Sequence, residues 1–237
     1  MVSFRLESDG AHPAVRHLRF RPEDRRGALT RAALKSLSEA VAAVARDPEA
    51  RVVALHGAGE ELFASGAALE EIAALEAESA GAFADLGRDV LAAWEGLEAT
   101  TVAVVRGVCY GGAVDLALAS DLVATFPAAR FAHPGVLRGI VTGWGGAARA
   151  RRRLSPAALQ SLFAEAEPLD AERALANGLA DLLLDSDDAL AAELARWASP
   201  SGDALRALKR IARATEGLTR SQALIVEERM RELERER

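Results

Sequence analysis

From Thr101 to Leu122 the chain reads Thr-Val-Ala-Val-Val-Arg-Gly-Val-Cys-Tyr-Gly-Gly-Ala-Val-Asp-Leu-Ala-Leu-Ala-Ser-Asp-Leu. This stretch constrains the fold most. Val102 to Val105 is a short, β-branched apolar run of the kind that forms a buried strand. Gly107 interrupts it, and Gly111-Gly112 opens a helix predicted over Ala113 to Ser120. A double glycine at a helix start lets a ligand approach bare backbone, where unpaired N–H groups favour negative charge. Asp115 follows Gly112 by three residues, which places its carboxylate on the same side as the Gly112 N–H. One short segment therefore offers a backbone donor for an anion with an acid beside it.

The chain before this segment alternates between strands and helices. Val15 to Phe20 alternates as a half-exposed strand, with His17 on its polar phase as a solvated residue. Arg21 to Gly27 is a charged loop. Leu29 to Ala45 is amphipathic with Thr30 as its N-cap, and Asp47-Pro48 ends it. Val52 to Leu55 is a second buried strand, closed by the turn His56-Gly57-Ala58-Gly59. Glu70 to Glu98 is predicted helical with a break near Gly81, and Val123 to Thr125 is a further strand. His12 is expected in a mobile N-terminal stretch.

Beyond the central segment, Arg149 to Arg153 is a basic run, read as a solvated helix face or as a phosphate or subunit contact. Asn177-Gly178 is a helix C-cap. Asp187 to Trp197, Gly202 to Thr215 and Leu218 to Arg237 are three further helices. Strands near 52, 102 and 123 among helices make the class α/β.

Composition narrows the function. A net charge of −6 argues against nucleic-acid binding. The lone Cys109 makes no internal disulfide and reads as a small core residue. Four histidines and one cysteine lie scattered, so no metal site is expected. With no secretory pattern and no apolar run near eighteen residues, a cytoplasmic protein without membrane contact is expected. No dinucleotide fingerprint or P-loop is present.

Arg106 to Leu122 resembles the signature of the crotonase (enoyl-CoA hydratase/isomerase) superfamily, N-G-x-A-x-G-G-G-x-E-L-A-L-A-C-D. Three further stretches match in order. Arg26-Gly-Ala-Leu-Thr30 is similar to R-N-A-L-S, and Phe63-Ala-Ser-Gly-Ala-Ala-Leu69 to F-C-A-G-A-D-L. Phe131 to Arg149 is similar to F-G-x-P-E-x-x-L-G-I-x-P-G-x-G-G-T-Q-R. A fourth segment, Leu169 to Asp181, resembles the helix-turn I-D-A-x-E-A-x-x-x-G-L-V.

The resemblance implies a crotonase-type spiral of ββα units over 1–190 and a helical C-terminal oligomerisation region over 191–237, assembled as a homotrimer or dimer of trimers. It implies an acyl-CoA substrate, with coenzyme A as part of the substrate and no separate cofactor. It places an oxyanion hole at the N–H groups of Ala67 and Gly112. Two such donors stabilise a thioester enolate, each worth about 2.7–4 kcal/mol in the transition state. Ser65, Gly66, Gly111, Pro134 and Gly135 are expected around the substrate.

The acid–base set departs from the family. One catalytic glutamate becomes Asp115, shorter by roughly 1.5 Å; the other falls on Gly135. The aspartate of halide-displacing and ring-closing members falls on Gly143. His133 adjoins Gly135 and is a candidate substitute acid or base; the alternative is a loop or core histidine with a satisfied hydrogen bond. His56 is read as structural. These readings make the chain an enoyl-CoA hydratase/isomerase-like enzyme with an altered acid–base pair. The alternatives are a crotonase-type decarboxylase or thioester hydrolase, and a non-catalytic acyl-CoA-binding or oligomer subunit.

Overall fold

The computed structural model describes residues 3–235 apart from 24, 74–76 and 201. Its strands are β1 (Phe4–Ser8), β2 (Val15–Phe20), β3 (Ala28–Leu29), β4 (Val52–His56), β5 (Leu62–Ala64), β6 (Gly66–Ala67), β7 (Thr100–Val105), β8 (Val108–Tyr110), β9 (Leu122–Thr125), β10 (Arg130–Ala132), β11 (Leu169–Asp170) and β12 (Leu182–Leu183). Its helices are α1 (Arg31–Ala45), α2 (Leu69–Ala73), α3 (Ala77–Gly96), α4 (Gly112–Leu118), α5 (Gly146–Arg153), α6 (Pro156–Gln160), α7 (Ala171–Ala176), α8 (Asp187–Ala198), α9 (Gly202–Ala214) and α10 (Arg220–Arg235).

The long sheet has the order β1-β2-β4-β7-β9-β12, parallel except for the β1/β2 pair. A shorter sheet runs β11-β10-β8-β5. Successive chain segments add one strand to each sheet: β4 then β5, β7 then β8, β9 then β10. That is the expected spiral. The turns share backbone geometry rather than residues, which is why no repeat is visible in the sequence.

The long sheet is buried on both faces, so its central strands read as continuous apolar runs. Val53, Leu55, Ala103, Val105 and Val123 face the main core with α1, α3 and α4. Val52, Ala54, Val102, Val104 and Ala124 face a second core closed by Leu190, Leu194 and Ala198 of α8. Thr30 caps α1, its hydroxyl accepting from Ala33 N at 3.1 Å. At the other end of the spiral, α9 secures the carbonyls left over at the end of α3. Arg213 donates to Gly96 O at 2.7 Å and Leu97 O at 2.9 Å, and Lys209 donates to Ala99 O at 2.7 Å.

Several expectations change. The helix runs through Gly81 without a break, because an exposed glycine costs a helix only about 1 kcal/mol. Within the stretch predicted as helical from 70 to 98, the described helices are α2 and α3, with 74–76 outside the described residues. The N-terminal stretch is ordered: β1 pairs with β2, and Asp9 accepts from the N–H groups of Ala11 and His12 at 2.7 Å. His17 is no solvated residue. It bonds His56 Nε2 at 2.8 Å through Nδ1 and Asp9 Oδ2 at 2.8 Å through Nε2. His56 is buried beside Arg19, His17 and Arg106; burial first, then these charges, hold its pKa well below the ordinary imidazole value. The basic run is not a free face either. Arg149 is buried, bonding Glu95 Oε2 at 2.9 Å and Trp144 O at 2.6 Å, while Arg152 pairs with Glu95 and Glu216 and Arg153 with Asp181.

Candidate active site

All nine residues read from the sequence as a site line one cavity of about 570 Å³. They are Ser65, Gly66 and Ala67 from the β5–β6 segment, Gly111, Gly112 and Asp115 from the start of α4, and His133, Pro134 and Gly135 after β10. That volume suits a small organic ligand. Leu69, Ile72, Phe83, Ile140 and Val141 make most of the wall apolar.

The cavity is built on close backbone approach. Gly66 has φ +92°, and a Cβ there would lie 2.6 Å from Tyr110 O and 3.1 Å from Gly112 N. The β6 turn is therefore pressed directly onto the start of α4. Gly112 is the first residue of α4, a position whose N–H has no acceptor within the helix. A side chain on Gly112 would run into the Trp144 ring, with Cε3 at 2.6 Å, so the tryptophan covers that flank.

Asp115 and His133 come from elements eighteen residues apart and meet inside the cavity. His133 Nε2 lies 3.2 Å from Asp115 Oδ1, and both side chains are nearly closed to solvent, at 7% and 1% exposure. In the tautomer that has the hydrogen on Nε2, the ring donates to this carboxylate oxygen and Nδ1 is the nitrogen left to exchange a proton. The His133 ring stands 4.7 Å from Phe163, which fixes its other side. Thr142, twenty-seven residues from Asp115, donates its hydroxyl to Oδ2. Gly146 has no room for a Cβ against the same carboxylate. Asp115 is thus held at both oxygens. Thr142 had no signal in the sequence beyond a hydroxyl in a loop.

Gly135 is not an open vacancy. A Cβ there would lie 2.8 Å from Ile140 O, and Ile140 N donates back to Gly135 O at 2.9 Å. The 3-10 turn Pro134–Arg138 and its left-handed cap Gly139 fold the backbone over the place a side chain would need. Cys109 is a core residue, as expected. Burial first, then the Asp115 carboxylate, push its thiol well above the ordinary range, so it stays protonated.

The family model for enoyl-CoA hydratase/isomerase matches residues 11–234. The chain belongs to the enoyl-CoA hydratase/isomerase family. A crotonyl-CoA hydratase from Syntrophomonas wolfei is 31% identical over 163 residues, 69% of this chain and 63% of that protein. The aligned part is thus less than two thirds of that relative's length. A carnitinyl-CoA dehydratase from Proteus mirabilis is 35% identical over 73% of this chain and 67% of its own. Among solved structures, an enoyl-CoA hydratase/carnithine racemase from Magnetospirillum magneticum superposes with TM-score 0.85 at 29% identity, covering 91% of this chain and 82% of that one. The family and its spiral fold are therefore shown for this chain.

Proposed function

We propose that this chain is an acyl-CoA enzyme of hydratase/isomerase type that works through an enolate. The N–H groups of Ala67 and Gly112 receive the thioester oxygen as negative charge develops on it. The Asp115–His133 pair handles the protons. In hydration, His133 Nδ1 takes a proton from water as its oxygen bonds to Cβ, and Cα then receives a proton from the imidazolium. Asp115 holds the tautomer and stabilises the charged ring, and Thr142 holds Asp115. The observation that carries this reading is the buried Asp115–His133 hydrogen bond inside the glycine-built cavity.

One pair must then do what two carboxylates share in the family pattern, so hydration of crotonyl-CoA should be slow. Loss of a well-placed acid or base costs about 10²–10⁴ in rate. A second reading, decarboxylation or thioester hydrolysis, is favoured by the closed position at Gly135: an enolate formed by carbon–carbon cleavage needs fewer proton-transfer groups, and hydrolysis passes through a tetrahedral oxyanion that the same two N–H groups would stabilise. A panel of crotonyl-CoA, malonyl-CoA and saturated acyl-CoA thioesters separates them. Crotonyl-CoA turnover supports hydration; turnover confined to the others supports the second reading. Binding without turnover would reduce the chain to an acyl-CoA-binding subunit.

Gly135→Glu should not raise crotonyl-CoA turnover. Its Cβ meets the Ile140 carbonyl at 2.8 Å, so the carboxylate can enter only by displacing backbone. A tenfold gain in kcat would show that the turn yields and that this account of Gly135 is wrong.

We further propose a cytoplasmic homotrimer or dimer of trimers built through the helical region 191–237. Leu224, Ile225 and Leu233 of α10 are exposed in the single chain and suit burial by a partner. Sedimentation at micromolar concentration should give three or six copies; a monomer would refute it.

A further inference from the structure

The strongest unexplained feature of the cavity is Arg138. It ends the 3-10 turn Pro134–Arg138, is exposed, and contributes to the cavity wall. It is the sole arginine or lysine among the described lining residues. Among the described residues it has no ion-pair or hydrogen-bond partner. Arg88, Arg149, Arg152 and Arg153, which line two other cavities, each meet a carboxylate; Arg21 and Arg25, at a third, flank a wall that includes Glu60 and Glu61, whereas the wall of Arg138's cavity is mostly apolar. The wall near Arg138 is Leu137, Ile140 and Val141, which offers it no acceptor from a side chain.

The charge pattern of this turn differs from the family pattern quoted above in two places at once. The acid is lost at Gly135, and a leucine position carries Arg138. The two changes make one turn, on one side of one cavity, two charges more positive. A plain acyl chain gains nothing from this. It needs only the apolar wall, and covering a guanidinium without an anion to meet it costs desolvation.

We propose that the acyl group received here carries a carboxylate remote from the thioester, and that Arg138 binds it. The inference rests on the acyl-CoA reading above and names its substrate class. The guanidinium presents a planar fork of donors that matches a carboxylate with two parallel hydrogen bonds. The missing acid at Gly135 removes one of the two carboxylates that would repel such a substrate; the other, Asp115, is engaged by His133 and Thr142.

The test is calorimetric binding of glutaryl-CoA and pentanoyl-CoA, which have equal chain length and differ in ending in a carboxylate or a methyl. The wild type should bind glutaryl-CoA at least about tenfold more tightly. Arg138→Gln should bring glutaryl-CoA down to the affinity of pentanoyl-CoA, and Arg138→Lys should keep part of the preference. No preference in the wild type overturns the proposal. So does an equal weakening of both thioesters by Arg138→Gln, which would place the arginine on the phosphates of coenzyme A instead. Failure of the wild type to bind either thioester would instead refute the acyl-CoA reading itself, and this inference with it.

Discussion

Asp115→Asn should lower kcat by about 10²–10⁴, measured on whichever acyl-CoA thioester the wild type turns over fastest. The substitution is nearly isosteric, so the cavity and α4 should survive it. The amide keeps an acceptor for only one neighbour, whereas the carboxylate now serves His133 on Oδ1 and Thr142 on Oδ2. It also removes the charge that stabilises an imidazolium in a site nearly closed to water. His133→Gln should lose a similar factor, and the double variant should be little worse than either single one, because residues acting as one unit are not additive. An unchanged kcat in Asp115→Asn, with an unchanged melting temperature, would reduce Asp115 to an acid favourably placed near a helix start.

Gly66→Ala should be the other severe change, lowering activity by about 10²–10³, the cost of losing one oxyanion donor. At φ +92° an alanine is strained, at about 1–3 kcal/mol. Its methyl would also press on Tyr110 O at 2.6 Å and reach within 3.1 Å of Gly112 N. Both neighbours are backbone, so neither moves aside as a flexible side chain would. The β6 turn must therefore back away from α4, pulling the Ala67 and Gly112 N–H groups, the donors proposed above, out of register. Thermal melting should report the strain, and kcat with unchanged α-helical circular dichroism the lost geometry. Wild-type activity in this variant would show that the two N–H groups do not act together.

These expectations draw on different layers of the molecule. The strands at 52, 102 and 123 and the cap of α1 were legible because burial on both faces and N-cap chemistry are local. The short strands β5, β8, β10 and β12 were not. Two or three residues carry no period, and they are strands only because a neighbour supplies their hydrogen bonds. Gly81 misled as a breaker because the packing of α3 against α1 outweighs a single glycine. His17 misled because alternation reports which face a residue takes and nothing about what waits there; its partner His56 is thirty-nine residues away.

The site divides in the same way. From the sequence alone came the family, the order of its glycine segments, and nine of the residues that line the cavity. Each follows from a motif whose members are neighbours in the chain. That Asp115 and His133 share a hydrogen bond, that Thr142 completes the carboxylate's partners, and that Ile140 closes the place above Gly135 were decided only in three dimensions. Those contacts depend on how β10 and the turn after it are laid across α4 by the parallel β8–β10 pairing. Distances across that crossing are set by packing between remote segments, which no spacing within the chain records.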